Sequence, residues 1–269
     1  MDASLLHWPQ EVLTMPGCTG YKLSAMIQEF NFKAIATLYS PFAEKFAVPR
    51  QPGLVTAARA ELHFASGCNR EEIIRGLEGF SHLWLIFVFH QVIDEGWTPT
   101  VRPPRLGGNR RVGVFATRSP FRPNPIGLSV VKLEGIEKRN KQWLLHLSGV
   151  DLMNGTPIVD IKPYVPYVDA IATASGGFTE QIEPNPIPVN FNEKASLELE
   201  YFVNEYPGLE MLIRQVIAQQ PQPGYLRNGV SRRSYGMRLY DLNIRWLTAQ
   251  QGCEVTAIEK VVSAAEEET

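Results

Sequence analysis

Between Phe32 and Tyr164 the chain is dominated by short runs in which apolar and polar residues alternate, the period of a half-buried strand. Such runs predict strands over Phe32–Tyr39, Glu61–Phe64, Ile126–Arg139 and Gln142–Leu152, with Lys138–Lys141 as the turn of a hairpin. His82–Phe89 is almost continuously apolar and aromatic, which predicts a strand buried on both faces that stops at His90-Gln91. Thr156–Tyr164 reads as another strand, confined to an edge or to the rim of a site by Pro157 and Pro163. Helical spacing occurs in two places, Arg70–Leu77 with Asn69 as its N-cap, and Leu209–Ala218 after Pro207-Gly208. Two further strands are expected at Ser234–Leu247 and Cys253–Lys260, and the tail Glu266–Thr269 has the composition of a disordered segment.

Closely spaced strands with almost no helix between them, and no βαβ rhythm, predict a mostly β chain: an antiparallel barrel followed by a smaller α+β domain. The expected boundaries are an N-terminal extension over 1–31, the barrel over 32–170, a linker over 171–188 and the small domain over 189–265. At 269 residues, 44% hydrophobic and 20% charged, there is apolar material enough for two unequal cores. Cys18, Cys68 and Cys253 are far apart and match no zinc spacing or disulfide framework, which points to a reducing, cytoplasmic setting. No run approaches the length of a membrane span, and residues 1–30 lack the order of a signal peptide.

Charge changes the picture at one place. The chain carries a formal net charge of -2, yet between Gly96 and Leu133 there are six arginines, one lysine and no Asp or Glu. Within that span Pro120, Pro123 and Pro125 fix backbone angles and remove donors, so Arg118 and Arg122 are expected on a stiff loop where an anion can find them. A second stiff loop, Lys45–Gly53, presents Arg50 and Gln51. Arg227, Arg232, Arg233, Arg238 and Arg245 form another basic cluster. The motifs of dinucleotide, phosphate-loop and zinc sites are all missing, and no histidine has the neighbours of a serine hydrolase. Asp160-Ile-Lys-Pro-Tyr164 gathers a carboxylate, a cation and an aromatic ring. A carboxylate accepts protons from an exocyclic amine and a ring stacks a splayed base, so this spacing is compatible with chemistry on a purine. On spacing alone the plainer reading is an edge strand carrying a solvated Asp and Lys and a half-buried Tyr.

The stretch Gly113–Gly127, Gly-Val-Phe-Ala-Thr-Arg-Ser-Pro-Phe-Arg-Pro-Asn-Pro-Ile-Gly, resembles the signature of the TsaA-like family, also called TrmO. Phe46–Gly53, Ser81–Trp84, Val88–Gln91, Arg102–Gly108 and Asp160–Tyr164 resemble its other blocks in the same order. The resemblance implies a β-barrel tRNA methyltransferase that uses S-adenosylmethionine, works as a homodimer and needs no metal. Its implied reaction is N6-methylation of threonylcarbamoyladenosine beside the anticodon of threonine tRNA. It also implies donor contacts at Pro49, Arg50, Gln51, His90, Gln91, Arg118, Leu128 and the stretch Thr156, Pro157, Ile158 and Val159. Asp160, Tyr164 and Asn124 are then the candidates for the target base, and Arg122, Lys162, Arg232 and Arg233 for RNA. The competing readings are an RNA-binding or regulatory module on the same barrel without catalysis, and a barrel methyltransferase for a small metabolite.

Overall fold

The computed structural model describes residues 29–103, 110–179, 187–219, 233–249 and 252–261, and every element named below lies within the unit Lys33–Thr269. Arg105, Arg227, Arg232, the Gln250-Gln251 turn and the Glu266–Thr269 tail lie outside the described residues. The strands β1 (Ala36–Tyr39), β2 (Arg59–Phe64), β3 (His82–Val88), β6 (Ile126–Arg139), β7 (Gln142–Ser148) and β8 (Thr156–Pro163) close into an antiparallel barrel in the order β1-β2-β7-β6-β3-β8. Closure leaves no open sheet edge, and one face of each strand fills the interior. Leu38, Leu62, Leu83, Leu85 and Ile158 are inaccessible to solvent there. A two-stranded arm, β4 (Thr100–Val101) with β5 (Val112–Gly113), carries the arginine-rich segment.

Three expectations are corrected. β3 is buried on one face only: Leu83, Leu85 and Phe87 point inward, while His82, Trp84, Ile86 and Val88 are half-buried on the outside. Its run of apolar residues therefore marks an outer surface as well as a core. β8 is not an edge strand, because it closes the barrel between β1 and β3. Its prolines are accommodated because Pro157 has a neighbour only in β1 and Pro163 only in β3; Ile158 alone is paired on both sides. Helix α1 (Glu71–Ile74) is a single turn that Asn69 does not cap. The Asn69 side chain instead donates to the Lys141 carbonyl at 2.9 Å and accepts from the Trp143 N–H at 2.8 Å, bracing the β6–β7 turn. That turn has left-handed Asn140 and Lys141, the geometry that lets a two-residue hairpin follow strand twist.

After a short α2 (Pro166–Asp169) comes the smaller domain, with β9 (Val189–Phe191), α3 (Glu193–Phe202), α4 (Leu209–Ala218), β10 (Ser234–Leu239), β11 (Leu242–Ala249) and β12 (Gly252–Lys260). Its sheet runs β10-β11-β12-β9, with β9 parallel to β12. The single strand expected over Ser234–Leu247 is a hairpin, folded at Tyr240-Asp241 with Tyr240 left-handed. Helix α4 has the expected bounds and buries Leu209, Leu212, Ile213, Val216 and Ile217. Helix α3, capped by the Asn192 side chain, buries only Ala195 and Phe202, and so leaves little periodic signal. Among the described residues no helix is long and apolar enough to cross a membrane.

One glycine is required by contact. Gly127 in β6 lies opposite Phe87 in β3, and a Cβ built on it would stand 2.1 Å from the Phe87 ring. The ring covers the bare backbone, a pairing that keeps a glycine tolerable in a strand. Gly127→Ala forces that buried ring aside and is expected to destabilise the chain by about 1–3 kcal/mol, read as a lower urea midpoint with an unchanged slope.

Candidate functional site

The site assembles at the barrel end where β3 stops and β6 and β8 begin. There the irregular segment from Lys45 to Ala57 is pinned to the barrel by glycines. The Gly53 N–H donates to the Gly149 carbonyl at 2.8 Å, and the Gly149 N–H donates to the Ala58 carbonyl at 2.9 Å. Gly149 is left-handed, and its Cβ position lies 3.4 Å from the Gly53 Cα, so a side chain there would strain the junction twice over. The pinning brings Gln51 to Arg118, whose Nη1 donates to the Gln51 Oε1 at 2.6 Å.

Arg118 is held by a loop that satisfies itself. With prolines removing backbone donors, hydroxyls take over: Thr117 Oγ1 donates to the Val114 carbonyl and accepts from the Ser119 N–H. Ser119 Oγ accepts from the Phe121 N–H. Arg122 turns back into its own loop, donating to the Thr117 carbonyl at 3.3 Å and lying 6.0 Å from the centre of the Phe115 ring. Asn124 is exposed and its carbonyl accepts from the Ile126 N–H. The Phe89 N–H donates to the Pro125 carbonyl at 2.8 Å, which joins this loop to His90 and Gln91; those two side chains meet at 3.2 Å.

Asp151, expected only as part of the strand Gln142–Leu152, is also a member of the cluster. Its Oδ1 accepts from the fully buried Ser129 Oγ at 2.5 Å. Burial pushes its carboxyl up to about 6, against the opposing pull of the Ser129 hydrogen bond and the Arg118 charge. The available signal was a lone carboxylate between Val150 and Leu152, both buried, directly after a left-handed glycine. Gln51, Arg118 and Asp151 thus gather an amide, a guanidinium and a carboxylate from three distant segments. Leu128, 52% exposed, precedes Ser129 on β6 and points to the outer face of the barrel wall, opposite to it.

Other expected site residues fall in different places. Pro49, Thr156 and Ile158 are buried, so Arg50, Gln51, Pro157 and Val159 are the members of those stretches with accessible side chains. Asp160 shares an outer row of the barrel with Ile86 and Leu128, about 10 Å from Leu128 at two strand spacings. It forms an ion pair with Lys162 at 2.9 Å and accepts from the Ile161 N–H. Tyr164 stands at the far end of β3, its ring centre 5.7 Å from that of Trp84 and 6.3 Å from that of His82. That end is roughly 20 Å from the Arg118 end along the strand. Within one chain, therefore, Tyr164 does not join Gln51, Arg118 and Asp151. Arg233 lies at the start of β10, its carbonyl accepting from the Thr248 N–H. Among the described residues no group of three or more His, Cys, Asp or Glu is arranged to hold a metal ion.

The Asp151 carboxyl binds its proton more readily folded, at about 6, than at its ordinary 3.8, so protonation favours the folded state. Its contribution is fully present below about pH 4 and is lost as pH rises through about 6. Asp151→Asn keeps the acceptor for Ser129 and removes that dependence. Urea unfolding from pH 4 to pH 7 should show the variant gaining on the parent chain as pH rises, with the two slopes equal only if Asp151 is not responsible.

Residues 37–170 match the tRNA-methyltransferase O N-terminal domain, and residues 184–261 match the TrmO C-terminal domain. The tRNA (adenine(37)-N6)-methyltransferase of Escherichia coli K12 is 46% identical over 233 residues, covering 87% of this chain and 99% of that one. A putative S-adenosylmethionine-dependent methyltransferase of Pseudomonas aeruginosa is 47% identical over 213 residues, 79% of this chain and 90% of that one. The crystal structure of TrmO from Pseudomonas aeruginosa superposes with a TM-score of 0.72 at 38% identity, covering 87% of this chain and all of that one. Since both halves are matched in order and the likeness runs almost end to end, the chain belongs to the tRNA-methyltransferase O family.

Proposed function

We propose that this protein transfers the methyl group of S-adenosylmethionine to N6 of adenosine 37 in tRNA. The observation that carries the reading is the convergence of Gln51, Arg118 and Asp151 in one cluster, in a chain matched to the family over both domains. The cluster fits the donor's chemistry: a guanidinium for its carboxylate, a carboxylate for its cationic groups, an amide for its hydroxyls or ring, and Leu128 for an apolar face. His90, Gln91, Arg50 and the accessible Pro157 and Val159 complete the donor side of this reading. When bound, S-adenosylmethionine supplies a methyl group on a positively charged sulfur.

What the chain adds is orientation and a place for a proton. An adenine N6 amine is a weak nucleophile because its lone pair is delocalised into the ring, and it must shed a proton as it takes a methyl group. Asp160, half-exposed on the outer row shared with Leu128, is the acceptor in this reading. The finer substrate is threonylcarbamoyladenosine in threonine tRNA. Its modification carries a carboxylate, which the exposed Lys162 beside Asp160 can pair with. Asn124 faces the RNA from the proline loop that Arg122 braces by turning back into it, Tyr164 offers a stacking surface, and the smaller domain, with Arg232 and Arg233, adds phosphate contacts.

The same reading takes the protein as a cytoplasmic homodimer. Ile126 and Leu128, 39% and 52% exposed, join half-buried Ile86 and Val88 in one outer apolar patch beside the site. Such a patch is covered in a stable assembly, and light scattering at working concentration reports whether the mass is that of two chains.

Labelled methyl transfer into tRNA with and without threonylcarbamoyl tests the activity; binding of tRNA without transfer from the donor would leave the non-catalytic module instead. Arg118→Ala should weaken donor binding tenfold or more, roughly the worth of a charged hydrogen bond. Asp160→Asn should lower kcat by about 10²–10⁴ with donor affinity unchanged. If Asp160→Asn weakens donor binding as much as turnover, Asp160 belongs to the donor side.

A further inference from the structure

The segment Lys45–Ala57, read above as donor-binding, has no regular structure, and on one side it is held by Gly149 against Gly53, Arg118 against Gln51 and Glu95 against Lys45. The other side is held by the smaller domain. In α4 the Gln215 amide uses both ends: its Oε1 accepts from the Ala57 N–H at 2.9 Å and its Nε2 donates to Thr56 Oγ1 at 3.0 Å. One turn further on, Gln219 Nε2 donates to the Leu54 carbonyl at 2.9 Å. Between these polar clasps Val55 and Val216 are both buried and border a small cavity of about 140 Å³ shared with Pro49 and Arg50. At the start of the segment the Phe46 ring stacks on Trp246 of β11 at 6.1 Å, and the Tyr235 ring of β10 stacks on the same indole at 5.7 Å. Trp246 is wholly buried, and its indole N–H has no partner among the described residues, so stacking is what this ring does here. The Glu44 carboxylate, just before the segment, accepts from the Arg238 N–H at 3.0 Å.

We infer that Gln215 and Gln219 of α4 are positioning residues for the donor site, fixing the segment that presents Arg50 and Gln51 before S-adenosylmethionine arrives. The inference rests on the reading of that segment as donor-binding. Its physical content is pre-organisation: a segment already ordered by folding does not charge its ordering entropy to the ligand. The smaller domain then contributes to methyl-donor affinity as well as to any RNA contact. The two glutamines differ in a usable way. Both contacts of Gln215 survive in a glutamate, because Ala57 donates to it and the Thr56 hydroxyl can rotate to donate. Gln219 must donate to a carbonyl, and a glutamate there opposes one acceptor with another.

The experiment measures donor binding by calorimetry and donor KM and kcat by methyl transfer, on full-length Gln215→Ala, Gln215→Glu, Gln219→Glu and Gln51→Ala, each checked for folding by thermal unfolding. Gln215→Ala and Gln219→Glu are expected to raise donor Kd and KM by about three- to tenfold, with kcat at saturating donor within about twofold, while Gln215→Glu stays close to the parent. If Gln51→Ala weakens donor binding but the two α4 variants leave it unchanged, or lower kcat without moving Kd, the positioning role is overturned and the donor assignment stands. If Gln51→Ala leaves donor binding unchanged, the donor assignment of the segment fails and the inference fails with it.

Discussion

The strand order of the barrel, which β8 closes, is the constraint on which the rest depends. That strand reaches β1 through Thr156–Ile158 and β3 through Ile158–Pro163, so a single residue bridges both seams. Closing the sheet there fixes which ends of sequence-distant strands meet at a common rim. The segment before β2, the loop before β6 and the turn after β7 arrive together because β2, β7 and β6 are consecutive neighbours in the sheet. Gln51, Arg118 and Asp151 are 67 and 33 residues apart along the chain, and no local motif could bring them into contact. What β8 adds, by pairing with β1 and β3, is Pro157, Val159 and Asp160 on the same barrel wall.

Stiffness at that rim comes from two different devices. In the loop from Thr117 to Pro125 the prolines restrict the backbone, and Thr117 and Ser119 hydroxyls satisfy the polar groups left over. In the segment from Lys45 to Ala57 the restraint is external, from Gly149 of the barrel and from Gln215, Gln219 and Trp246 of the smaller domain. The first device is written locally and is legible as a proline pattern. The second is tertiary: Pro49, Pro52 and Gly53 mark the segment as stiff, but not the partners that hold it. A charged cluster held by such loops pays its ordering entropy in folding, which is the condition for binding a small zwitterion tightly with few contacts.

The legible parts of the fold are those where one local signal dominates. Helix α4 was readable because five of its ten residues are buried on one stripe. The β6–β7 hairpin was readable because both strands alternate cleanly and the turn is polar. Helix α3 was not, since only Ala195 and Phe202 are buried and its first turn depends on the Asn192 cap. The β10–β11 turn was hidden because Tyr240 adopts a left-handed backbone without the glycine that usually marks one. At the site, Arg118 and Gln51 are legible through charge bias and proline stiffening, whereas Asp151 is not, because its importance lies in what surrounds it, a buried serine of β6 and a guanidinium from the proline loop.

Sequence proximity and spatial convergence part company along β8. Asp160, Lys162 and Tyr164 follow one another at the spacing of a single strand face, and such a face carries its residues away from one another at about 6–7 Å per pair. The compact five-residue motif is thus an extended row, with Asp160 toward the donor end and Tyr164 against Trp84 and His82 at the other. A base seated at Asp160 and a ring at Tyr164 cannot be in stacking contact within the same chain without a large shift. The motif is better understood as a ruler along the outer wall of the barrel: its first position shares a row with Ile86 and Leu128, its middle position pairs with the first through Lys162, and its last position belongs to a different stretch of surface.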